Sequence, residues 1–214
     1  IVMGGHVVAR ERAAAQLHPY HVAQECVGGY AYYNWLRTQD NAWDYEAVTQ
    51  ALTALYRRVV NGAALTLSLT GPEAGAETLA QGVRSLPRGQ APAEGEILTP
   101  WGLRREGIAI PADIAFAARM GELGQYSGKV ALATKILDLS YLWNVIRVQG
   151  GAYGAWMLSA SSGLAGCLSF RDPNAKASLE KYMGCGDFLR QFCRGNPDLT
   201  GAIIGTVSDA SPLL

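Results

Sequence analysis

The 214-residue chain is 49% hydrophobic and 17% charged, and its 18 basic and 18 acidic side chains give a formal net charge of zero. Proteins that neutralise nucleic-acid phosphates need a basic surplus, and this sequence has none, which argues against a nucleic-acid partner. The longest apolar stretches, residues 62–69 and 108–118, are shorter than the roughly 18 residues that a membrane-spanning helix needs. We therefore expect a folded domain that neither spans a membrane nor binds nucleic acid.

The ends and the cysteines bear on the compartment. The first residues show no basic start followed by an apolar segment, so no intact secretory signal is visible and a cytoplasmic location is expected. Ile1 stands where an initiator methionine would, which suggests a piece of a longer protein. The cysteines lack C-x-x-C spacing and are expected to be buried thiols in a reducing compartment. They are Cys26, Cys167, Cys185 and Cys193.

The first ninety residues have mainly helical spacing, with apolar side chains recurring every three or four positions. Between two of these segments, leucines alternate with threonine and serine over residues 63–70, which predicts a strand with one buried face. One strand cannot form a sheet, so its partners are expected elsewhere. The predicted helices are 6–17, 19–36, 43–60 and 73–86.

Residues 87–100 are rich in Pro, Gly, Gln and Glu, a composition typical of an exposed linker. We place a domain boundary there, with residues 1–88 as the mostly helical end of a preceding domain, 89–105 as the linker and 106–214 as most of a final domain. The elements predicted in the final domain are a strand at 107–118, a helix at 128–146, a hairpin of 154–161 with 164–170, and helices at 174–192 and 198–207.

The strongest local signal is the string LWNVIRVQGGAYGA at residues 142–155, which passes from a helix into a glycine-dense turn and then a strand. Gly150, Gly151 and Gly154 indicate a place where another group approaches the backbone closely or where φ is positive. The turn is therefore the first candidate for a binding site.

Arg147 and Tyr153 stand on either side of the glycine pair. Together they carry the guanidinium donors and one phenolic hydroxyl, which can hold and polarise a carbonyl oxygen. The alternative is that Arg147 only caps the helix C-terminus and that Tyr153 is an ordinary half-buried strand residue. Similarly, Trp143 and Trp156 could wall a peptide groove or pack in the core. The spacing leaves these alternatives open.

Two other segments contain residue types that could form a site. Residues 171–174, Arg-Asp-Pro-Asn, are expected to form a turn and a helix N-cap more than to direct Arg171 towards a substrate. His18, His21 and Glu25 could share one helix face and ligate zinc, but Pro19 interrupts them, so surface histidines are expected instead.

Several strings together resemble the C-terminal half of the presequence-protease branch of the pitrilysin and insulinase zinc metallopeptidases. The resemblance covers nearly the whole chain. The strings are GGHVVARERA at 4–13, LTLSLTG at 65–71, LWNVIRVQGGAYGA at 142–155, SSG at 161–163, FRDPN at 170–174 and AIIGTVSD at 202–209.

The resemblance implies an α+β fold, a two-layer sandwich of helices over a mostly antiparallel sheet, within a large zinc metalloendopeptidase. Such enzymes have four related domains in two halves that close around an unfolded peptide. The family's substrate-contacting Arg and Tyr correspond to Arg147 and Tyr153, which would act in catalysis on the substrate carbonyl. The residues expected to contact the peptide are Gly150, Gly151, Ala152 and Gly154.

The sequence departs from the family at one decisive point, because it has no H-x-x-E-H motif. Zinc is therefore expected in the N-terminal half, outside this chain, and this chain alone is expected to be inactive. The family's final helices after the GTVSD segment are also missing from this sequence. The expected partners are therefore the zinc-bearing half and an unfolded peptide, with a homodimer through the surface that this truncation leaves uncovered. The alternative is a non-catalytic partner subunit of a two-chain peptidase, or a peptide-binding or assembly module.

Overall fold

The computed structural model describes residues 3–39, 43–63, 65–89, 95 and 97–211. The chain forms two compact units, one made of Ile1–Asn34 with Leu98–Leu214 and the other of Trp35–Ile97. The N-terminal residues thus pack with the C-terminal part of the chain. The predicted segments 1–88, 89–105 and 106–214 concern the domains of a longer protein and stay a prediction.

The larger unit contains an antiparallel sheet of three strands in the order β1-β3-β2. They are β1 (Ala118–Glu122), β2 (Gly154–Ser159) and β3 (Leu164–Phe170). The central strand β3 is buried on both faces along nearly its whole length. The predicted hairpin is confirmed, with Trp156 opposite Leu168 in its register.

The strand predicted at 107–118 is wrong over most of its length. Only Ala118 belongs to a strand, where it pairs with Leu168 of β3. Before it, Ala115 makes an isolated bridge to Asp172. A strand needs a neighbour for its backbone groups, and among the described residues none runs beside 107–114.

The helices largely follow the predicted segments. Two predicted helices are each divided in the structure, at Gly29 and around Gly184. Within the described part of the chain, no helix is long and apolar enough to cross a membrane. The helices of the described residues are, in chain order, α1 (Gly5–Ala15), α2 (Pro19–Gly28), α3 (Tyr30–Thr38), α4 (Tyr45–Val59), α5 (Glu73–Arg84), α6 (Gly128–Ile136), a π-helix π1 (Leu137–Val148), α7 (Ala175–Tyr182), α8 (Cys185–Arg194) and α9 (Thr200–Ala210).

The core lies between the sheet and the helices π1, α7 and α8, which confirms the predicted α+β class. Leu142 and Ile146 of π1 are almost completely buried, at 0% and 1% exposure. They pack with Ala155, Cys167 and Tyr182 from the hairpin and α7. Burial of these apolar side chains is the main stabilising contribution.

Helix α1 contacts β1 and β3. His6 lies edge-on to Phe170, with ring centres 4.8 Å apart, and Trp156 lies 6.3 Å from the same imidazole. Burial, followed by the charge of Arg10, lowers the pKa of His6. Trp156 packs against this imidazole and is still 38% exposed.

The smaller unit contains α4 and α5. The strand predicted at 63–70 is wrong for the described residues of that range, 63 and 65–70, which are not in a strand. The three leucines of the alternating pattern, Leu65, Leu67 and Leu69, are 44–47% exposed. Alternation predicts a strand only where a second strand pairs with it, and the described residues of this unit include no strand.

The cysteine prediction holds for two of the four residues. Cys167 and Cys185 are buried free thiols with their Sγ atoms 3.6 Å apart. Cys26 and Cys193 are free but exposed. Both exposed cysteines lie on helices, at positions that face away from the core.

Asp138 connects π1 to the outer edge of the sheet, because its carboxylate accepts a hydrogen bond from the N–H of Met157 in β2. Burial raises the pKa of Asp138 from its usual 3.8 to about 6; the hydrogen bond from Met157 and the charge of Lys135 oppose this rise, and Asp209 adds to it. Between about pH 4 and pH 6, Asp138 is therefore protonated in the folded protein and has lost its proton in the unfolded chain. The contribution of Asp138 to stability falls as the pH rises from about 4 to about 6 and is constant above that.

We expect Asp138→Asn to remove this pH dependence, since the amide oxygen keeps the hydrogen bond without a charge. The free energy of unfolding of the variant relative to the parent chain should rise by about 1–2 kcal/mol between pH 4 and pH 7, after allowance for partial solvent screening. Urea unfolding across this range measures it, with the exposed Asp187→Asn as the control. Parallel pH profiles for Asp138→Asn and the parent would contradict the assignment.

Candidate functional site

The candidate site is the turn between π1 and β2. A Cβ at Gly150 would lie 2.5 Å from the carbonyl oxygen of Ile146, and Gly151 has a φ of +78°. Both positions therefore require glycine, the first for space and the second for its backbone conformation. The N–H groups of Gly151 and Ala152 donate to Arg147 and Ile146, which folds the turn tightly back onto π1.

Arg147 is held by aromatic rings. Its guanidinium carbon lies 4.0 Å from the ring centre of Trp143 and 5.6 Å from that of Tyr153. Trp143 is 44% exposed, so it serves this contact at the surface and is not a core residue. None of the ion pairs formed by the described residues includes Arg147, so no carboxylate in that part of the chain occupies its N–H donors.

Tyr153 stands beside this guanidinium and is 64% exposed. Its backbone N–H donates to the carbonyl of Phe170 at 3.1 Å, and its ring meets the ring of Phe170 edge-on at 5.8 Å. The backbone is thus fixed to β3 while much of the side chain faces solvent. The structure brings Arg147 and Tyr153 together, with donors on both.

The four residues predicted to contact a peptide differ in accessibility. Gly150 and Gly151 are exposed at the surface of the turn, whereas Ala152 and Gly154 are buried. The Ala152 N–H is already bonded to the carbonyl of Ile146. Ala152 and Gly154 therefore lie beneath the part of the turn that a ligand could reach.

The segment after β3 forms the predicted turn and N-cap. The side chain of Asn174 accepts a hydrogen bond from Ala177 N at 3.2 Å, and Asp172 accepts one from Asn174 N at 2.8 Å. Arg171 is exposed and has its guanidinium carbon 5.4 Å from the ring centre of Phe170. A pocket of about 280 Å³ opens between this N-cap and Gly150, a feature that the sequence patterns did not indicate.

The two histidines considered as zinc ligands are bound to other groups, and His18 Nδ1 accepts a hydrogen bond from Tyr20 N. His21 Nδ1 lies 2.5 Å from a carboxylate oxygen of Glu11. Burial raises the pKa of Glu11, but hydrogen bonds from His21 and Arg10 lower it, and the pKa is lowered overall. Glu25 is completely buried and paired with Arg12 at 2.9 Å. Among the residues that the structure describes, no group of three His, Cys, Asp or Glu could hold a metal ion. The described residues therefore offer no ligand set for a zinc ion.

The fold and the turn define an α+β domain that presents an arginine and a tyrosine at its surface. Residues 105–212 match the family model described as the PreP C-terminal domain. The chain belongs to this family.

Two relatives show how much of a longer protein the chain represents. It is 32% identical over 223 residues to "Presequence protease 1, chloroplastic/mitochondrial" of Arabidopsis thaliana. This alignment covers 96% of the present chain and 20% of the relative. It is 27% identical over 210 residues to "Protein HypA" of Clostridium perfringens (strain 13 / Type A), covering 95% of this chain and 22% of the relative. The chain thus spans about a fifth of the length of these relatives.

Proposed function

We propose that the chain is the substrate-binding C-terminal part of a zinc metalloendopeptidase that degrades unfolded peptides. Arg147 and Tyr153 hold a carbonyl oxygen of the bound peptide and polarise it. The observation that carries the proposal is the Arg147 guanidinium, which lies 4.0 Å from the ring centre of Trp143 and 5.6 Å from that of the exposed Tyr153 and has no ion-pair partner among the described residues. The name of the Arabidopsis relative and the family match support the protease assignment.

The chemistry follows from the donors. As negative charge develops on a carbonyl oxygen under attack, N–H and O–H groups already in position stabilise it without reorganising. Stacking on Trp143 leaves the N–H groups at the edge of the Arg147 guanidinium free. Gly150 and Gly151 let the peptide backbone approach, while Ala152 and Gly154 shape the turn from below. Zinc would activate the attacking water from outside this chain.

The proposed partners are the zinc-bearing half of the same enzyme and an unfolded peptide. A homodimer that covers an exposed face stays a prediction.

Expressing this chain by itself and as part of the complete protein tests whether peptide cleavage needs the zinc-bearing half. We expect the complete protein that contains this chain to cleave an unfolded peptide, to lose this activity when zinc is chelated, and to regain it when zinc returns. The 214-residue chain alone should not cleave the peptide under the same conditions. Cleavage by the isolated chain, or a complete protein that does not respond to chelation, would contradict the proposal.

A further inference from the structure

The pocket beside the turn is a second recognition feature that the roles of Arg147 and Tyr153 do not use. Its volume is about 280 Å³, close to the lower end of ordinary ligand pockets. It lies between the end of π1 and the start of α7, and Gly150 forms part of its wall. A peptide that passes over Gly150 would therefore place a side chain or its end next to this pocket.

The polar groups that line the pocket have unused hydrogen-bonding capacity. Ser178 is 4% exposed, and its hydroxyl has no partner among the described residues. The side chain of Gln149 likewise makes no bond within the described chain. The N–H groups of Gln149, Gly151 and Ala152 all donate to carbonyls near the end of π1, whereas that of Gly150 has no such partner in the part of the chain described.

The charge in the pocket is positive. Lys181 is the charged residue among its described lining residues, and none of those is a carboxylate. Its ammonium group is in no ion pair with a described residue, although its backbone carbonyl accepts a hydrogen bond from Tyr141. Asp172, close by in sequence, is 1% exposed and does not line the pocket; its Oδ1 accepts a hydrogen bond from Asn174 N, and its buried Oδ2 has no partner among the described residues.

The start of α7 adds to this charge. Asn174, its N-cap, lines the pocket, so the positive end of the helix dipole lies there. A helix start alone does not make a site. Here, however, it coincides with a buried hydroxyl and an unpaired ammonium that face the same space.

We propose that this pocket binds a carboxylate of the peptide substrate, either an acidic side chain or the C-terminal carboxylate. The proposal rests on the proposed function, because it assumes that a peptide passes over Gly150. Lys181 supplies the charge, while Ser178, Gln149 and the Gly150 N–H supply hydrogen bonds. A neutral amide of the same shape would gain less from the ammonium group, and the pocket therefore sets a preference for acidic residues at one substrate position.

Matched peptides measure this preference in the complete protein. The peptides form a series in which one Glu moves along an otherwise constant unfolded sequence, each paired with the Gln version and with free or amidated C-termini. At one position, or at the free terminus, we expect the carboxylate form to have a kcat/KM about five- to tenfold higher. Lys181→Gln should remove most of this difference, and Ser178→Ala should reduce it.

Lys176→Gln is the matched control, because Lys176 is an exposed lysine of the same helix that does not line the pocket. It should keep the preference of the parent protein. Equal preferences in the parent and in Lys181→Gln, or no preference at any position, would overturn the proposal. Whether the gain follows Glu or the free terminus identifies which carboxylate binds.

Binding of the same peptides, measured by fluorescence anisotropy with zinc removed, separates this proposal from the proposed function. If no peptide is cleaved but the complete protein binds carboxylate forms more tightly through Lys181, the pocket stands and the proposed function fails. If cleavage depends on Arg147 but Lys181→Gln affects Glu and Gln peptides equally, the proposed function stands and the pocket proposal fails.

Discussion

Replacing Arg147 with alanine in the complete protein is expected to lower kcat for an unfolded peptide about 100-fold, within a range of about ten- to a thousandfold. The guanidinium has no ion-pair partner among the described residues and is held by Trp143 and Tyr153, so its loss removes donors from the site without breaking an ion pair. Steady-state kinetics with a quenched fluorescent peptide measures the effect. The change should appear mainly in kcat if the donors act on the charge that develops in the transition state.

Arg190→Ala is the matched control, because Arg190 is an exposed arginine on α8 whose ion pair with Asp187 lies within one helix. It should leave kcat within about twofold of the parent value, because this surface substitution touches no residue of the proposed site and should change stability by only about 0.5 kcal/mol. A similar loss in both variants would indicate a general effect of charge. Unchanged kcat in Arg147→Ala would remove Arg147 from the proposed site.

Leu142→Ala is expected to lower the free energy of unfolding of the chain by about 3 kcal/mol, within the usual range of about 2–5 kcal/mol for a buried leucine. Leu142 is 0% exposed and lies in the core beneath the sheet. Its removal leaves a cavity in the helix that ends at the candidate site. Urea unfolding followed by circular dichroism measures the loss.

Leu139→Ala tests the same change on the same helix, where the side chain is 56% exposed. It should cost less than about 1 kcal/mol, because water already reaches much of the leucine. Equal losses in the two variants would contradict the placement of the core on the Leu142 side of π1.

The sequence predicted the elements whose signals are local. Helical spacing located most helices, and the hairpin followed from two apolar segments separated by a short glycine-containing turn. The string around Gly150 and Gly151 located the turn, because space and a positive φ leave glycine as the residue that fits there. The N-cap at Asn174 was likewise encoded by adjacent residues.

Features that depend on distant partners were not predictable in the same way. Alternation over 63–70 predicted a strand, but a strand forms only where another lies beside it. The close approach of Cys167 and Cys185 depends on where the tertiary fold places the start of α8 relative to β3. The contact of Trp143 with Arg147 is by contrast local, because the two residues lie four positions apart on π1, yet the sequence left groove and core as equal alternatives for this tryptophan.

The central claim is that Arg147 and Tyr153 act on the same substrate carbonyl. A double-mutant cycle in the complete protein, with Arg147→Ala and Tyr153→Phe made singly and together, tests it most directly, because Tyr153→Phe removes the hydroxyl and keeps the ring beside position 147. We predict that the loss of kcat in the double variant is smaller than the product of the two single losses by about tenfold, as for groups that share one partner. A double variant whose loss equals that product, or single variants with the parent kcat, would contradict the claim.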